Sequence, residues 1–341
     1  MSAAPTTLAA VWRGADGIRI EELPVPAPRP GELVVEIDLA TVSGDDRRTA
    51  SDAHRAPAAV LGHEAVGRVV AAGVGAPAAE GDRVVWAPSV GCGMCDRCRH
   101  GRVARCRKLR EIGREPIDGP WPLSGAYARH ILLPSGATVE RVPDELCDAV
   151  AAPAGGATAT AMAVREASGD LTGLRVLVCG AGMLGLTATA VARESGASEV
   201  VVLDTDASRR SLALAFGATT VVGPRDRPGE ADLAWELSGA AEAASRALAA
   251  LAIGGRLVLA RAAATSAAVP VDLDRVVRRG LAITGVLGSE PRHLREALAF
   301  LASTRTRYPW ERLVAPAMGL EHLALLLAQP ASVAPRTAIA P

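Results

Sequence analysis

Apolar runs closed off by Gly-Asp, Pro or Gly punctuate the first part of the chain: GELVVEIDLATV, AVGRVVAAG, GDRVVWAP and YARHILLP. Such Val-, Ile- and Leu-rich runs between turn residues predict the short strands of an all-β domain. After Asp144 the texture changes. Residues Asp148 to Glu166 form an alanine-rich helical stretch, and RVLVCGAGMLGLTATAVARESGASEVVVLDTD reads as strand, glycine turn, helix, strand. ADLAWELSG and GGRLVLA continue the alternation, which predicts a parallel sheet covered by helices. PRHLREALAFLAS predicts a helix, and the tail APRTAIAP is a candidate strand returning to the first domain. The expected division is therefore an N-terminal domain over 1–147 with a cysteine lobe at 91–107, a second domain over 148–289, and a C-terminal segment over 290–341 that rejoins the first.

Composition narrows the class. A chain of 341 residues with 49% hydrophobic content has enough apolar surface for two domains with cores of their own. Formal net charge is zero, so no overall basic field attracts nucleic acid or an anionic membrane, and small-molecule chemistry is the better expectation. MSAAPTTLAAVWRG lacks the basic start and apolar run of a secretory leader. The longest uncharged run, Val176 to Ala192, contains three glycines and is shorter than a membrane span. A cytoplasmic location is expected, and there four clustered cysteines are metal ligands more often than disulfides.

In VLVCGAGMLGL, the segment Gly180, Gly182, Met183, Leu184 and Gly185 has G-x-G-x-x-G spacing between a strand and a helix. The first glycine allows a tight turn, the second lets a pyrophosphate approach the backbone, and the third lets helix and strand pack closely. The phosphates would sit on the helix N-terminus. Asp204 follows at about the twenty-residue spacing of an acid that accepts hydrogen bonds from the ribose hydroxyls. Such an acid repels a 2′-phosphate, which favours NAD(H) over NADP(H); Arg209 and Arg210 are the residues that would welcome that phosphate.

Cys92, Cys95, Cys98 and Cys106 have C-x2-C-x2-C-x7-C spacing. Four thiolates complete a tetrahedral zinc shell and leave no position for substrate, so one structural zinc per chain is expected there.

GHEAVGRVVAAG, the four-cysteine lobe and the glycine turn follow one another in the order of the zinc-containing medium-chain alcohol dehydrogenases, and the chain resembles that family over essentially its whole length. The resemblance implies an α/β chain: a GroES-like β-barrel catalytic domain completed by the C-terminus, and a Rossmann doubly wound parallel sheet inserted within it. It also implies a homodimer or homotetramer, with LAITGVLGS as the candidate edge strand. In the family a second zinc, the catalytic one, is held by the cysteine of a C-G-[ST]-D segment, the histidine of G-H-E, and a cysteine or acid early in the following helical stretch. Here His63 and Glu64 match G-H-E, but SGDD replaces the first segment, so that Ser43 stands for the cysteine, Asp45 for the hydroxyl residue that relays the substrate proton, and Asp46 for the motif's acid. The third position falls on or near Gly156, where Gly155, Gly156 and Ala157 offer no donor.

A neutral hydroxyl is a poor ligand beside a thiolate and glycine is none, so an active site without catalytic zinc is expected. Hydride transfer then needs an activated substrate, an iminium or a conjugated carbonyl, with Asp45 as acid, base or counter-ion and His63, Glu64 and Arg48 close by. Two other readings stand beside this one: a conventional zinc alcohol dehydrogenase with Glu64, Asp45 or Asp46 as substitute ligands, and a non-redox dehydratase, cyclase or isomerase on the same scaffold. DGPWPLSGAYARH further resembles a bacterial branch associated with phosphonate metabolism, for which Arg47 and Arg48 would bind an anionic group; the plainer reading of that pair is a solvated loop. Tyr127 is expected to pack. His54, His100, His130, His293 and His322 lack ligand spacing.

Overall fold

Residues 1–156, 290–305 and 310–341 form one unit of the chain, and residues 157–289 with 306–309 form a second. They belong to a computed structural model that describes residues 5–52, 57–260, 268–329 and 333–341; His54 lies outside the described residues.

The first unit opens with β1 (Thr6–Trp12), β2 (Ile18–Pro24) and β3 (Leu33–Val42), then α1 (Gly44–Ser51) and β4 (Ala59–Val60). β5 (Glu64–Ala72) and β6 (Arg83–Val90) follow, then α2 (Asp96–Arg99) in the cysteine lobe, β7 (Arg110–Glu111), β8 (His130–Leu133) and β9 (Ala137–Arg141). β1 pairs with β2 and β4 in a three-stranded sheet, while β3 is hydrogen-bonded to both β5 and β8 in a larger one. That central position explains why β3 is apolar at most positions rather than strictly alternating. Trp86, Trp121, Tyr127 and Ile131 fill the core beneath it.

The predicted single helix over Asp148 to Glu166 is three pieces: α3 (Asp148–Ala151), a π-turn at Ala154–Thr158, and α4 (Ala159–Ser168). Pro153 lacks the amide that would continue α3. The domain boundary expected after residue 147 accordingly moves to 156, because α3 packs on β3 and β5. Gly155, within the first unit, packs so closely on β6 that a Cβ there would stand 1.9 Å from the Trp86 carbonyl oxygen.

In the second unit β10 (Arg175–Cys179), α5 (Met183–Glu194), β11 (Glu199–Leu203), α6 (Ala207–Ala215), β12 (Thr220–Val222), β13 (Ala231–Glu236), α7 (Ala241–Ala250), β14 (Leu251–Leu259), α8 (Leu273–Arg279) and β15 (Ala282–Gly285) alternate along the chain. The six strands are parallel in the order β12-β11-β10-β13-β14-β15, the doubly wound arrangement of a dinucleotide-binding fold. β15 forms one edge, so LAITGVLGS is an edge strand only over Ala282–Gly285.

The chain then re-enters the first unit through α9 (Pro291–Thr304), β16 (Val314–Gly319), α10 (Leu323–Ala328) and β17 (Arg336–Ala340). β17 pairs antiparallel with β3 and parallel with β16, completing an eight-stranded sheet. Among the described residues no helix is long and apolar enough to cross a membrane.

Candidate functional site

The site in the first unit is organised from the first turn of α1. Ser43, in an extended conformation, caps the helix: its Oγ accepts the amides of Asp45 and Asp46, each at 3.1 Å. Asp46 Oδ2 accepts the Ser43 amide at 2.8 Å, closing a capping box. Its other oxygen lies 3.1 Å from His63 Nδ1. Burial would push the Asp46 carboxyl upward, but the His63 charge and the hydrogen bonds from His63 and Ser43 hold it far below the usual carboxylate range. Burial would likewise lower His63; the Asp46 charge and hydrogen bond, with Glu64 and Asp45 behind them, raise it from 6.5 to about 9. Gly62, at φ +93°, allows this placement, because a Cβ there would sit 2.9 Å from the Tyr127 ring. Tyr127 is wholly buried and its phenol donates to the Thr41 carbonyl at 3.2 Å.

Glu64 points to a different network. It is 2% exposed, forms a two-point pair with Arg336 at 2.7 and 2.9 Å, and accepts the Thr41 hydroxyl at 2.9 Å. Gly156 abuts the same carboxylate: a Cβ there would stand 2.3 Å from Glu64 Oε1. Asp45 is bridged on one oxygen to Arg48 and on the other, at 2.5 Å, to Arg114. Burial raises its pKa, yet Arg114 foremost, then His63 and Arg48, bring it below the ordinary value. Asp45 is thus held as an anion between two guanidinium groups, in keeping with the counter-ion among the three roles expected for it. Arg47 fits neither reading offered for it. Its guanidinium donates to the Gln329 carbonyl at 2.9 Å and to Thr337 Oγ1 at 3.2 Å, tying α1 to the C-terminal segment.

The cysteines converge as their spacing implies. Their ligand atoms all lie within 4.8 Å of one another, and no other group of three or more His, Cys, Asp or Glu side chains among the described residues does so. Cys95 and Cys106 Sγ are 3.9 Å apart, close to the ~3.8 Å edge of a tetrahedron with Zn–S of about 2.3 Å. Cys106 Sγ also accepts the amides of Cys92 and Lys108, which favours the thiolate.

In the second unit the three glycines differ in what they permit. Gly180 has φ +100°, a Cβ on Gly185 would lie 1.7 Å from the Gly180 carbonyl oxygen, and nothing stands within 4 Å of where a Gly182 Cβ would be. A turn, a close helix–strand contact and an open approach to the backbone therefore follow in sequence. α5 starts after Gly182 with no side chain capping it, leaving Met183, Leu184 and Gly185 in a first turn whose amides suit a pyrophosphate. Asp204, which directly follows β11, reaches this turn by accepting the Ala181 amide at 2.6 Å and also accepts the Asp206 amide at 2.8 Å. Arg209 lies on α6, 4.0 Å from Asp206, and Arg210 donates to the Asp204 carbonyl at 2.8 Å.

Comparison with known proteins agrees with both units. The alcohol dehydrogenase GroES-like domain matches residues 29–144 and the zinc-binding dehydrogenase domain residues 184–303. The L-threonine 3-dehydrogenase of Deinococcus radiodurans is 33% identical over 297 residues, 81% of each chain. The chain belongs to the zinc-type medium-chain alcohol dehydrogenase family. A structure from Sinorhizobium meliloti 1021 bound to NADP superposes with a TM-score of 0.88 at 25% identity, covering 99% of this chain and 100% of that one. The alcohol dehydrogenase of Thermus sp. ATN1 gives 0.84 at 27%, covering 98% and 99%.

This dehydrogenase holds two site residues that the sequence did not point to, Arg114 and Arg336. Both reach their partners across the tertiary structure, 69 and 272 positions away, and no local pattern marks them. The capping role of Ser43 did have a signal, the S-x-x-D spacing that opens α1. Because Glu64 and Arg336 are both buried, removing one strands the other. Arg336→Met is expected to cost roughly 3–5 kcal/mol in urea unfolding; a change under about 1 kcal/mol, the size of an exposed pair, would contradict this account.

Proposed function

We propose that this dehydrogenase transfers hydride between NAD(H) and a conjugated carbonyl compound without a catalytic zinc, with the His63 imidazolium, held by Asp46, meeting the substrate oxygen. The observation that carries the reading is the commitment of every neighbour of His63. The Ser43 hydroxyl caps a helix, Glu64 is locked to Arg336, and Gly156 has neither a side chain nor room for one. The residues at the catalytic-zinc position thus do not fit the metal, and the substitute-carboxylate alternative loses Glu64 and Asp46, its two buried candidates. The cysteine lobe does fit zinc, as a structural ion with four thiolate ligands.

The nicotinamide, when bound, supplies or takes up the hydride. In the reducing direction, negative charge grows on the carbonyl oxygen as hydride reaches the β-carbon. A cationic N–H is then worth more to the forming enolate than to the neutral ketone. Asp46 on Nδ1 leaves Nε2 to make that contact and to pass on a proton. Asp45, with Arg48 and Arg114, supplies fixed charge around it. The same positive charge on His63 disfavours an iminium, so of the two activated substrates the conjugated carbonyl is preferred. The glycine turn and the open backbone at Gly182 favour a redox role over a scaffold that has lost one. Asp204, ending the second strand of the fold, favours NAD(H).

Elemental analysis of protein purified without chelator is expected to return one zinc per chain. Two, together with oxidation of a plain secondary alcohol such as L-threonine, would mean that the metal site has been rebuilt. The His63 pKa gives the second test. Its folded value lies above the ordinary one, so its contribution to stability is complete below 6.5 and lost as pH rises through about 9. The rate of enone reduction by NADH should fall over the same upper limb. Asp46→Asn should shift that limb down by more than a unit, and His63→Ala should cost roughly 10²-fold or more; a limb unmoved by Asp46→Asn argues against the dyad. Finally, kcat/KM should favour NADH over NADPH by at least about tenfold, equivalent to ~1.4 kcal/mol, and equal use of the two would remove the role given to Asp204.

A further inference from the structure

The carboxyl end of the parallel sheet holds a buried carboxylate to which the hydride chemistry above gives no part. Glu236 ends β13 and is 2% exposed. Its hydrogen-bond partners all lie in the turn that follows. Oε1 accepts the Ser238 amide at 2.8 Å, the Ser238 hydroxyl, and the Gly239 amide at 3.1 Å; Oε2 shares that last amide at 3.2 Å. Gly239 has φ +74°, a backbone conformation that favours glycine, and Ser238 Oγ accepts the Ala240 amide at 3.0 Å just before α7. The carboxylate therefore fixes a tight turn between β13 and α7. That turn abuts the glycine turn of the dinucleotide site: a Cβ on Gly180 would lie 3.0 Å from the nitrogen, Cα and Cβ of Ser238. Leu237 donates its amide to the Cys179 carbonyl at 3.0 Å, so β10 and β13 stay paired up to this contact. Between these two strands the order of the sheet reverses, and a dinucleotide lies across the crevice at such a point. Asp204 and the adenosine ribose belong to the β11 side of β10, and the pyrophosphate to the start of α5. The other half of the dinucleotide then runs over the β13 side, where Glu236 holds its turn.

We propose that Glu236 is a positioning residue for the nicotinamide half of the dinucleotide, acting through the turn at 238–239, which it holds as a preformed wall of the crevice. The assignment rests on the NAD(H) reading above and divides that site in two: Asp204 serves the adenosine, Glu236 and its turn the nicotinamide nucleotide. Without the carboxylate, two backbone amides and a left-handed glycine lose the side chain that orders them. The turn must then be ordered as the ligand binds, which weakens binding. A glutamine restores only part of this, because it keeps one acceptor oxygen and turns an NH2 group toward a cluster of donors.

NADH and AMP separate the two halves, since AMP carries only the adenosine side. Titrated into the full chain, NADH is expected to bind Glu236→Gln at least about tenfold more weakly than wild type, with AMP affinity held within about twofold. In steady state the loss should fall on KM for NADH, with kcat at saturating NADH kept. Ser238→Ala, at an exposed position, removes one hydroxyl contact to the carboxylate and is expected to weaken NADH about threefold with AMP unaffected. It decides the matter alone if Glu236→Gln does not fold. Unchanged NADH affinity in both variants, or an equal loss for AMP and NADH as a general loosening of the sheet would give, overturns the assignment. A wild type that binds AMP but not NADH removes the NAD(H) reading itself, and this role with it. Unaltered NADH binding in the variants removes only the role of Glu236, so the two failures are separately visible.

Discussion

The carboxylate of Asp46 is the point on which the first unit's chemistry depends. One of its oxygens closes the capping box that starts α1 and the other holds His63, so a helix terminus and an imidazolium share a single buried charge. Each partner makes the other affordable in a place where burial alone would discharge both. The helix contributes as well: a carboxylate in its first turn faces the positive end of the backbone dipoles. The residues around it form a closed hydrogen-bond system, with Ser43 serving as the helix cap.

A second buried pair, Glu64 with Arg336, extends this system to the far end of the chain. Arg336 opens β17, and β17 lies against β3, whose Thr41 also donates to Glu64. Gly156 packs on the same carboxylate. Three segments distant in sequence are thereby fixed around one acid. Ser43 and Gly156 fit this arrangement. A side chain at 156 would collide with Glu64, and a hydroxyl at 43 has backbone amides to satisfy.

The cysteine lobe and the glycine turn differ from this system in being local. Four thiolates within one short loop find each other through chain connectivity alone, and a G-x-G-x-x-G segment acts through backbone conformation at adjacent residues. Spacing is enough to recognise both. The charged network around Asp45 is not of that kind. Asp45 was visible as an unusual residue at a family position, but the two arginines that fix its ionisation come from α1 itself and from a loop 69 positions away.

By itself the sequence determined the α/β class, the family, the order of strands and helices in the nucleotide-binding unit and the cysteine cluster. It could do so because hydrophobic period, turn chemistry and ligand spacing are properties of neighbouring residues. Tertiary structure decided what the remaining polar residues do: that Ser43 caps, that Asp45 lies between Arg48 and Arg114, that Glu64 is spent on Arg336, that Arg47 ties α1 to the C-terminal segment, and that the alanine-rich helix breaks at Pro153. Those outcomes depend on which long side chain reaches which buried charge, and on desolvation that exists only once the chain is folded.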